Sequence, residues 1–132
     1  MTTPSSARAP RIKGIAPQFL VDDLERAIAY YRGELGFDVD FVYQSVYAGV
    51  SRDGASIHLK RAPKTISDRA HRKKNHHLDA YVDVSNIDVL FADLTTRNAK
   101  VTKQLEDQPW QCRDFWVEDI DGYILCFSEG IA

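Results

Sequence analysis

Two eight-residue segments, RDGASIHL at residues 52–59 and IDGYILCF at residues 120–127, occupy equivalent places in the two halves of the chain. Each contains an Asp-Gly pair, a strong signal for a tight hairpin turn, followed by a run with strand-like alternation. Further outward, Val21-Asp22 and Val82-Asp83 each precede a segment with helical periodicity. The sequence therefore predicts an internal repeat in which each half is a strand, a helix and three more strands.

The two helices are predicted from apolar residues that recur every three or four positions. In VDDLERAIAYYRGELGF, residues 21–37, Asp22 is the predicted cap and Gly36 the predicted left-handed C-terminal residue. In SNIDVLFADLTTRN, residues 85–98, Ser85 is the predicted cap and Asn98 the predicted stop. The first apolar stripe comprises Leu24, Ala27, Ile28, Tyr31 and Leu35, and the second comprises Ile87, Leu90, Phe91 and Leu94.

A unit of this kind covers one face of its sheet with a helix and leaves the other face open. Two units must then pair, within one chain or between chains, and leave a concave sheet surface between them. We therefore predict an α+β fold of two βαβββ modules, with mixed, curved sheets and helices on the outer face. The predicted divisions are a flexible N-terminal arm at 1–12, a first module at 13–60, a basic linker loop at 61–75 and a second module at 76–130.

Composition excludes several classes of function. A net charge of −2 argues against a general nucleic-acid binder, and no apolar run is long enough to cross a membrane. The start, MTTPSSARAPR, has no apolar core of the kind a secretory signal needs, and two cysteines do not make a disulfide framework. We therefore expect a cytoplasmic protein. The basic linker is predicted to be a solvated loop, with a flap over an anionic ligand as the alternative.

Strand alternation assigns each side chain to the helix-facing or the concave side of its sheet. In GIAPQFLV, residues 14–21, Ile15, Phe19 and Val21 are the predicted core set. In HHLDAYVDV, residues 76–84, the alternate residues from Leu78 to Val84 are apolar and should face the helix. The predicted concave cavity collects Gln18, His58, His77, Asp79, Tyr81 and Cys126.

These segments resemble the vicinal oxygen chelate superfamily, which includes glyoxalase I, ring-cleaving dioxygenases, fosfomycin-resistance enzymes and bleomycin-resistance proteins. The resemblance covers residues 13–128 and is closest to the bleomycin-resistance proteins. The segment APQFLVDDLERAIAYYRGELGFDVDFV, residues 16–42, is similar to their opening strand, helix and strand. The segment EDQPWQCRDFWVEDIDGYILCF, residues 106–127, resembles their closing hairpin, including its Gln-Pro-Trp.

The resemblance also implies where a metal would lie. Metal-dependent members place four ligands at positions that are Ala16, His58, His77 and Cys126 in this sequence, and Ala16 cannot ligate. One hypothesis is a glyoxalase- or dioxygenase-like enzyme, a lyase or an oxygenase, that holds a divalent metal such as zinc with His58, His77 and Cys126. The favoured hypothesis is a metal-free protein, because bleomycin-resistance proteins have lost the metal site and bind their ligand without chemistry.

Bleomycin-resistance proteins are dimers that sequester the drug by stacking and shape in grooves at the dimer interface. The resemblance places Phe41 and Trp110 in that groove, and aromatic character with alternation adds Tyr47, Tyr81 and Trp116. The remaining members of the predicted ligand-binding set are His58, His77, Asp79 and Cys126. We therefore expect a homodimer that sequesters a bulky aromatic-containing small molecule. A glycopeptide antibiotic is one candidate, and another aromatic or anionic metabolite is the other, because the near-neutral charge and the basic linker would steer a cation weakly.

Overall fold

The computed structural model describes residues 9–62 and 78–131. Most of the predicted arm at 1–12 and of the predicted linker at 61–75 lies outside these ranges. The first half contains β1 (Gln18–Val21), α1 (Leu24–Gly33), β2 (Asp38–Tyr43), β3 (Tyr47–Arg52) and β4 (Ala55–Arg61). The second half contains β5 (Ala80–Asp83), α2 (Ile87–Thr96), β6 (Lys100–Gln108), β7 (Cys112–Glu118) and β8 (Ile124–Gly130).

Each half forms a four-stranded mixed sheet, and the two sheets have the same strand order. The orders are β1-β4-β3-β2 and β5-β8-β7-β6. The first and last strands of each half pair in parallel, while the remaining pairs are antiparallel. The predicted α+β fold of two βαβββ modules is therefore confirmed, and no helix in the described residues is long and apolar enough to span a membrane.

Helix α1 buries the predicted apolar stripe, but its cap differs from the prediction. Leu24, Ala27 and Tyr31 are buried. The N-cap is Asp23, whose Oδ1 accepts a hydrogen bond from the backbone N–H of Arg26, so the prediction of Asp22 was wrong by one residue. Gly36 has the predicted left-handed conformation, with φ +72°.

The N-terminus of helix α2 is capped by a side chain from strand β8. Asn86 occupies the N-cap in a left-handed conformation, with φ 58°, and makes no side-chain capping bond. The carboxylate of Glu129 on β8 instead accepts hydrogen bonds from the backbone N–H of Asn86 (3.1 Å) and of Ile87 (3.0 Å). The prediction of Ser85 as cap was therefore wrong, whereas Asn98 does adopt the left-handed conformation expected just beyond the helix.

The helix-facing sides of both sheets contribute to one apolar core. The core includes Phe19 and Val21 from β1 and Phe115 and Phe127 from β7 and β8. Phe19 stacks on Tyr123 with ring centroids 4.2 Å apart, which joins the first sheet to the second half of the chain. Ile15 does not belong to this core, because β1 begins only at Gln18 and leaves Ile15 88% exposed.

The two predicted Asp-Gly turns differ in the structure. Asp53 and Gly54 both have positive φ, 51° and 87°, as a two-residue hairpin loop with matching twist requires. In the second half only Gly122 of the equivalent pair has positive φ. There the loop folds around Asp119, whose Oδ1 accepts hydrogen bonds from the backbone N–H of Asp121 and of Tyr123.

Candidate functional site

The open face of the first sheet brings together three of the predicted ligand-binding residues. Strand register places Gln18, His58, Gly49 and Phe41 in one row across β1, β4, β3 and β2. Tyr47 lies on the same face of β3 as Gly49, because residues two apart on a strand point the same way. We call Gln18, Phe41, Tyr47 and His58 the aromatic cluster.

Ring contacts hold the aromatic cluster together. Phe41 and Tyr47 are nearly parallel, with centroids 6.1 Å apart and an interplanar angle of 9°. Both meet the imidazole of His58 edge-on, at 5.6 Å and 5.5 Å. Gly49 leaves room for Phe41, because a Cβ at this position would collide with the Phe41 ring. Phe41 remains 42% exposed, so a flat surface is available to a partner molecule.

A polar chain runs through the same cluster. The Gln18 side-chain amide donates a hydrogen bond from Nε2 to the hydroxyl of Tyr47 at 2.9 Å. That hydroxyl lies 3.0 Å from Nδ1 of His58. The three side chains come from β1, β3 and β4, so the pairing of these strands fixes the imidazole of His58 in one orientation.

The open face of the second sheet carries a second set of predicted residues. Tyr81, Cys126 and Trp116 lie in one row across β5, β8 and β7. Tyr81 is 60% exposed, and the ammonium group of Lys103 lies 5.1 Å from the centroid of the Trp116 ring. A lysine over the ring occupies one face of Trp116 and contributes about 0.5–1 kcal/mol at an exposed site.

Cys126 is placed as predicted but is buried, with 2% exposure. Its thiol lies 3.9 Å from Oδ2 of Asp114, and the thiol of Cys112 lies 3.8 Å from the same oxygen. Burial, together with the nearby Asp114 carboxylate, raises the pKa of Cys126 to about 12. The thiol therefore remains protonated at neutral pH, which makes it a poor nucleophile.

Asp114 was not among the predicted residues although alternation places it on the same face as Trp116. It is 4% exposed, and its Oδ1 accepts a hydrogen bond from Nε2 of Gln108 at 3.1 Å. With two thiols on Oδ2, this carboxylate is the centre of a buried polar network under the second sheet's open face. The signal in the sequence was the i, i+2, i+4 spacing of Cys112, Asp114 and Trp116 on one strand.

The other predicted residues lie at the margins. Oδ2 of Asp79 accepts a hydrogen bond from the backbone N–H of Ile124 at 2.8 Å, so this carboxylate fastens the start of β5 to β8. Trp110 is 64% exposed in the turn between β6 and β7, at the rim of the second sheet. His77 lies outside the described residues.

The described residues contain two of the three residues of the predicted metal alternative, His58 and Cys126, while His77 lies outside them. Nδ1 of His58 is bonded to Tyr47, which leaves Nε2 as the nitrogen that could bind a metal ion, and the Cys126 thiol is buried. Within residues 9–62 and 78–131, no group of three or more His, Cys, Asp or Glu side chains is arranged to hold a metal ion.

A cavity lies elsewhere, between residues of the first half and residues of the second half. It has a volume of about 680 Å³ and is lined by the β3–β4 turn, β5 and α2. Apolar residues such as Phe37 and Leu90 line it, and Arg52 and Arg97 flank it. The carboxylate of Asp93 binds both guanidinium groups at 3.1 Å, which offsets one of their two positive charges. No residue of the aromatic cluster lines this cavity, so the cluster lies on an open surface outside it.

Comparisons with known proteins agree with this architecture. TioX from Micromonospora sp. ML1 is 22% identical, with 91% of this chain and 98% of that chain covered and a TM-score of 0.65. A glyoxalase-related enzyme from Clostridium phytofermentans is 19% identical over 94% and 99%, with a TM-score of 0.73. The bleomycin-binding protein of bleomycin-producing Streptomyces verticillus, complexed with copper(II)-bleomycin, is 20% identical over 93% and 98%, with a TM-score of 0.66.

At these identities the solved structures establish the fold, and the sequence itself establishes the family. No curated protein matches the chain. The family description "Glyoxalase/Bleomycin resistance protein/Dioxygenase superfamily" matches residues 12–127, which is nearly the whole chain. The protein therefore belongs to the glyoxalase/bleomycin resistance protein/dioxygenase superfamily.

Proposed function

We propose that this protein is a dimeric, metal-free binding protein of the bleomycin-resistance type, which sequesters a bulky, aromatic-containing small molecule at the open faces of its sheets. The observation that carries the proposal is the aromatic cluster, in which flat rings are held in fixed orientations on a surface that is not covered. Stacking of a planar ligand group on such rings contributes about 0.5–1.5 kcal/mol per pair beyond the burial of apolar area.

The same surface supports a homodimer. Phe41 and Tyr43 on the edge strand β2 are 42% and 61% exposed, Leu20 on β1 is 40% exposed, and strand alternation places all three on the open face. Several exposed apolar side chains on one face of a sheet are typical of an interaction site. A second copy placed over the open faces would cover these side chains and turn each face into a groove, which is the arrangement that the proposal requires.

Binding without a metal is supported by Ala16, which offers no ligand atom at one of the four implied positions, and by the burial of the Cys126 thiol. The competing hypothesis of a glyoxalase- or dioxygenase-like enzyme needs His58 and His77 as ligands of a divalent ion. Metal analysis of the untagged protein after incubation with Zn²⁺, Ni²⁺, Mn²⁺ and Fe²⁺ separates the two. Stoichiometric metal that is lost in a His58→Gln variant would contradict the metal-free proposal.

Titration of the full chain with bleomycin, in copper-loaded and metal-free forms, tests the ligand, with tryptophan fluorescence and calorimetry as readouts. We expect binding that weakens at least several-fold in Phe41→Ala and Trp110→Ala, because both remove exposed rings. Val89→Ala is the matched control, since Val89 is 70% exposed on α2, away from the aromatic cluster.

Sedimentation equilibrium tests the dimer. A monomer that binds no planar aromatic compound would contradict the proposal.

A further inference from the structure

We infer that the aromatic cluster selects a planar ligand that carries a hydrogen-bond acceptor, a carbonyl or an ionised oxygen, which the Nε2–H group of His58 binds. The inference rests on the proposed function, because it assumes that this face is the ligand site. It adds the chemical class of the ligand group that lies beside the rings, which stacking alone leaves open.

The direction of the hydrogen bonds in the polar chain determines which nitrogen of His58 carries the proton. Nε2 of Gln18 has only protons to offer, so the oxygen of Tyr47 is the acceptor in the 2.9 Å bond between them. The proton of the Tyr47 hydroxyl is then directed to Nδ1 of His58, 3.0 Å away. Nδ1 therefore accepts through its lone pair, and the neutral imidazole carries its proton on Nε2.

Nε2 of His58 is available to a ligand. The hydrogen bond of His58 in the described part of the chain uses Nδ1, and Nε2 is not among the fully buried polar atoms that lack a partner there. His58 is partly exposed, and its ring stands edge-on to Phe41. An acceptor atom at Nε2 would place the ring that carries it beside Phe41, so one ligand can use both contacts.

A positive charge lies next to this donor. Lys60 is exposed, lies on the same face of β4 two residues beyond His58, and is the cross-strand partner of Tyr47. A carboxylate or another ionised oxygen at Nε2 would be attracted by this ammonium group, whereas a cationic ligand group would meet an N–H donor and a like charge. The cluster therefore favours an aromatic acid over an aromatic amine.

The direction of the hydrogen bonds from Gln18 through Tyr47 to His58 depends on the Gln18 amide. Glutamate has the same shape as glutamine but should reverse this direction. In a Gln18→Glu variant the carboxylate can only accept, so the Tyr47 hydroxyl would donate to it and His58 would donate to Tyr47 from Nδ1. Nε2 would then present a lone pair to the ligand. The preference for an acceptor should disappear in this variant although the ring contacts remain.

Two measurements test the inference in the full-length protein. Nitrogen-15 NMR of histidine-labelled protein reports which ring nitrogen of His58 is protonated, with His58→Gln assigning the signal. We expect protonation at Nε2 in the native protein and at Nδ1 in Gln18→Glu. Calorimetry with 2-naphthoate, 2-naphthamide and 2-(aminomethyl)naphthalene, which share one ring system, reports the selectivity. We expect naphthoate to bind about tenfold more tightly than the amine, with the naphthamide between them, as for a hydrogen bond to a charged acceptor.

The outcomes separate this inference from the proposed function. Protonation of the native His58 at Nδ1, or equal affinity for the three naphthalenes, would overturn the inference and leave the binding function standing. Failure of all three to bind would contradict the proposed binding function and the selectivity together. Protonation of His58 at Nε2 in the native protein and at Nδ1 in Gln18→Glu, with a preference for naphthoate over the amine in both the native protein and the control Val89→Ala, is the result that supports it.

Discussion

The hydroxyl of Tyr31 donates a 2.6 Å hydrogen bond to Oδ2 of Asp119, which ties the helix of the first half to the β7–β8 turn of the second. Both groups are buried, with 0% and 3% exposure. Burial raises the pKa of Asp119 to about 6 and raises the pKa of Tyr31 well above its usual value. The joint between the two halves therefore depends on one desolvated carboxylate and the donors around it.

Removal of the Tyr31 hydroxyl should weaken this joint. In Tyr31→Phe the ring still fills the core, but Asp119 loses its tyrosine donor in a desolvated position, which should lower the free energy of unfolding by about 1.5–3 kcal/mol. Urea denaturation followed by fluorescence measures the change. Tyr43→Phe is the control, because Tyr43 is 61% exposed and should change stability by less than about 0.5 kcal/mol. Equal effects in the two variants would show that the bond contributes nothing.

The raised pKa of Asp119 makes stability depend on pH. A folded-state pKa of about 6, above the ordinary value of 3.8, means that the folded state holds this proton more strongly than the unfolded state. The stabilisation that comes from the protonated Asp119 is therefore fully present below about pH 4 and is lost as the pH rises through about 6. The free energy of unfolding should fall by an amount on the order of 3 kcal/mol over this range.

Asp119→Asn should remove this dependence, because the amide keeps Oδ1 for the two backbone N–H groups and carries no charge. Unfolding free energies of both proteins at pH 4 and pH 7 provide the test, and subtraction of the variant's values cancels the other titrating groups. The native protein should lose more stability than the variant over this interval. Identical pH profiles would show that Asp119 titrates normally.

Gly49 should be indispensable for the position of Phe41. In Gly49→Ala the new Cβ would overlap the Phe41 ring, so the ring must swing away. We expect weaker binding of planar ligands and a loss of stability of about 1–3 kcal/mol from overpacking. Gly33→Ala is the matched control, because a Cβ on Gly33 meets nothing within 4 Å and lies in helix α1, where alanine is favourable. Unchanged ligand affinity in Gly49→Ala would contradict the role given to Phe41.

Glu129 should contribute more to helix α2 than the serine next to it in sequence. Glu129→Ala leaves two N–H groups at the start of the helix without their carboxylate and should lower the unfolding free energy by about 1 kcal/mol. Ser85→Ala should have almost no effect. Thermal denaturation of the two variants compares them, and a larger effect at Ser85 would reverse the assignment of the cap.

The apolar periodicity of the sequence was sufficient for the two helices and for the succession of strands in each half, but it did not predict the order of the strands in each sheet. The stripe from Leu24 to Tyr31 and the alternation in β4 correspond directly to buried and open faces. The strand register pairs Cys112 with Gly130, so Cys112 does not lie opposite Cys126. The helices and the two faces of each strand depend on residues that are close together in the sequence, so local sequence patterns predict them.

Features that depend on distant partners were not recoverable in the same way. The cap of α2 comes from Glu129, which lies more than forty residues further along the chain. Whether a side chain on an open face is exposed also depends on residues of adjacent strands. Cys126, for example, is buried beside Asp114. Alternation assigned Tyr47 and His58 to the open face and the resemblance added Phe41, but neither revealed that Tyr47 would connect His58 to Gln18.

The contact between Tyr123 and β1 has a consequence for growth of the sheet. The Tyr123 hydroxyl accepts a hydrogen bond from the backbone N–H of Leu20 and donates one to its carbonyl, at 3.0 Å and 2.8 Å. These are the groups that an incoming strand would need in order to extend the first sheet at this edge. A side chain from the second repeat thus protects the first repeat against strand-by-strand polymerisation, the hazard that accompanies any exposed sheet edge.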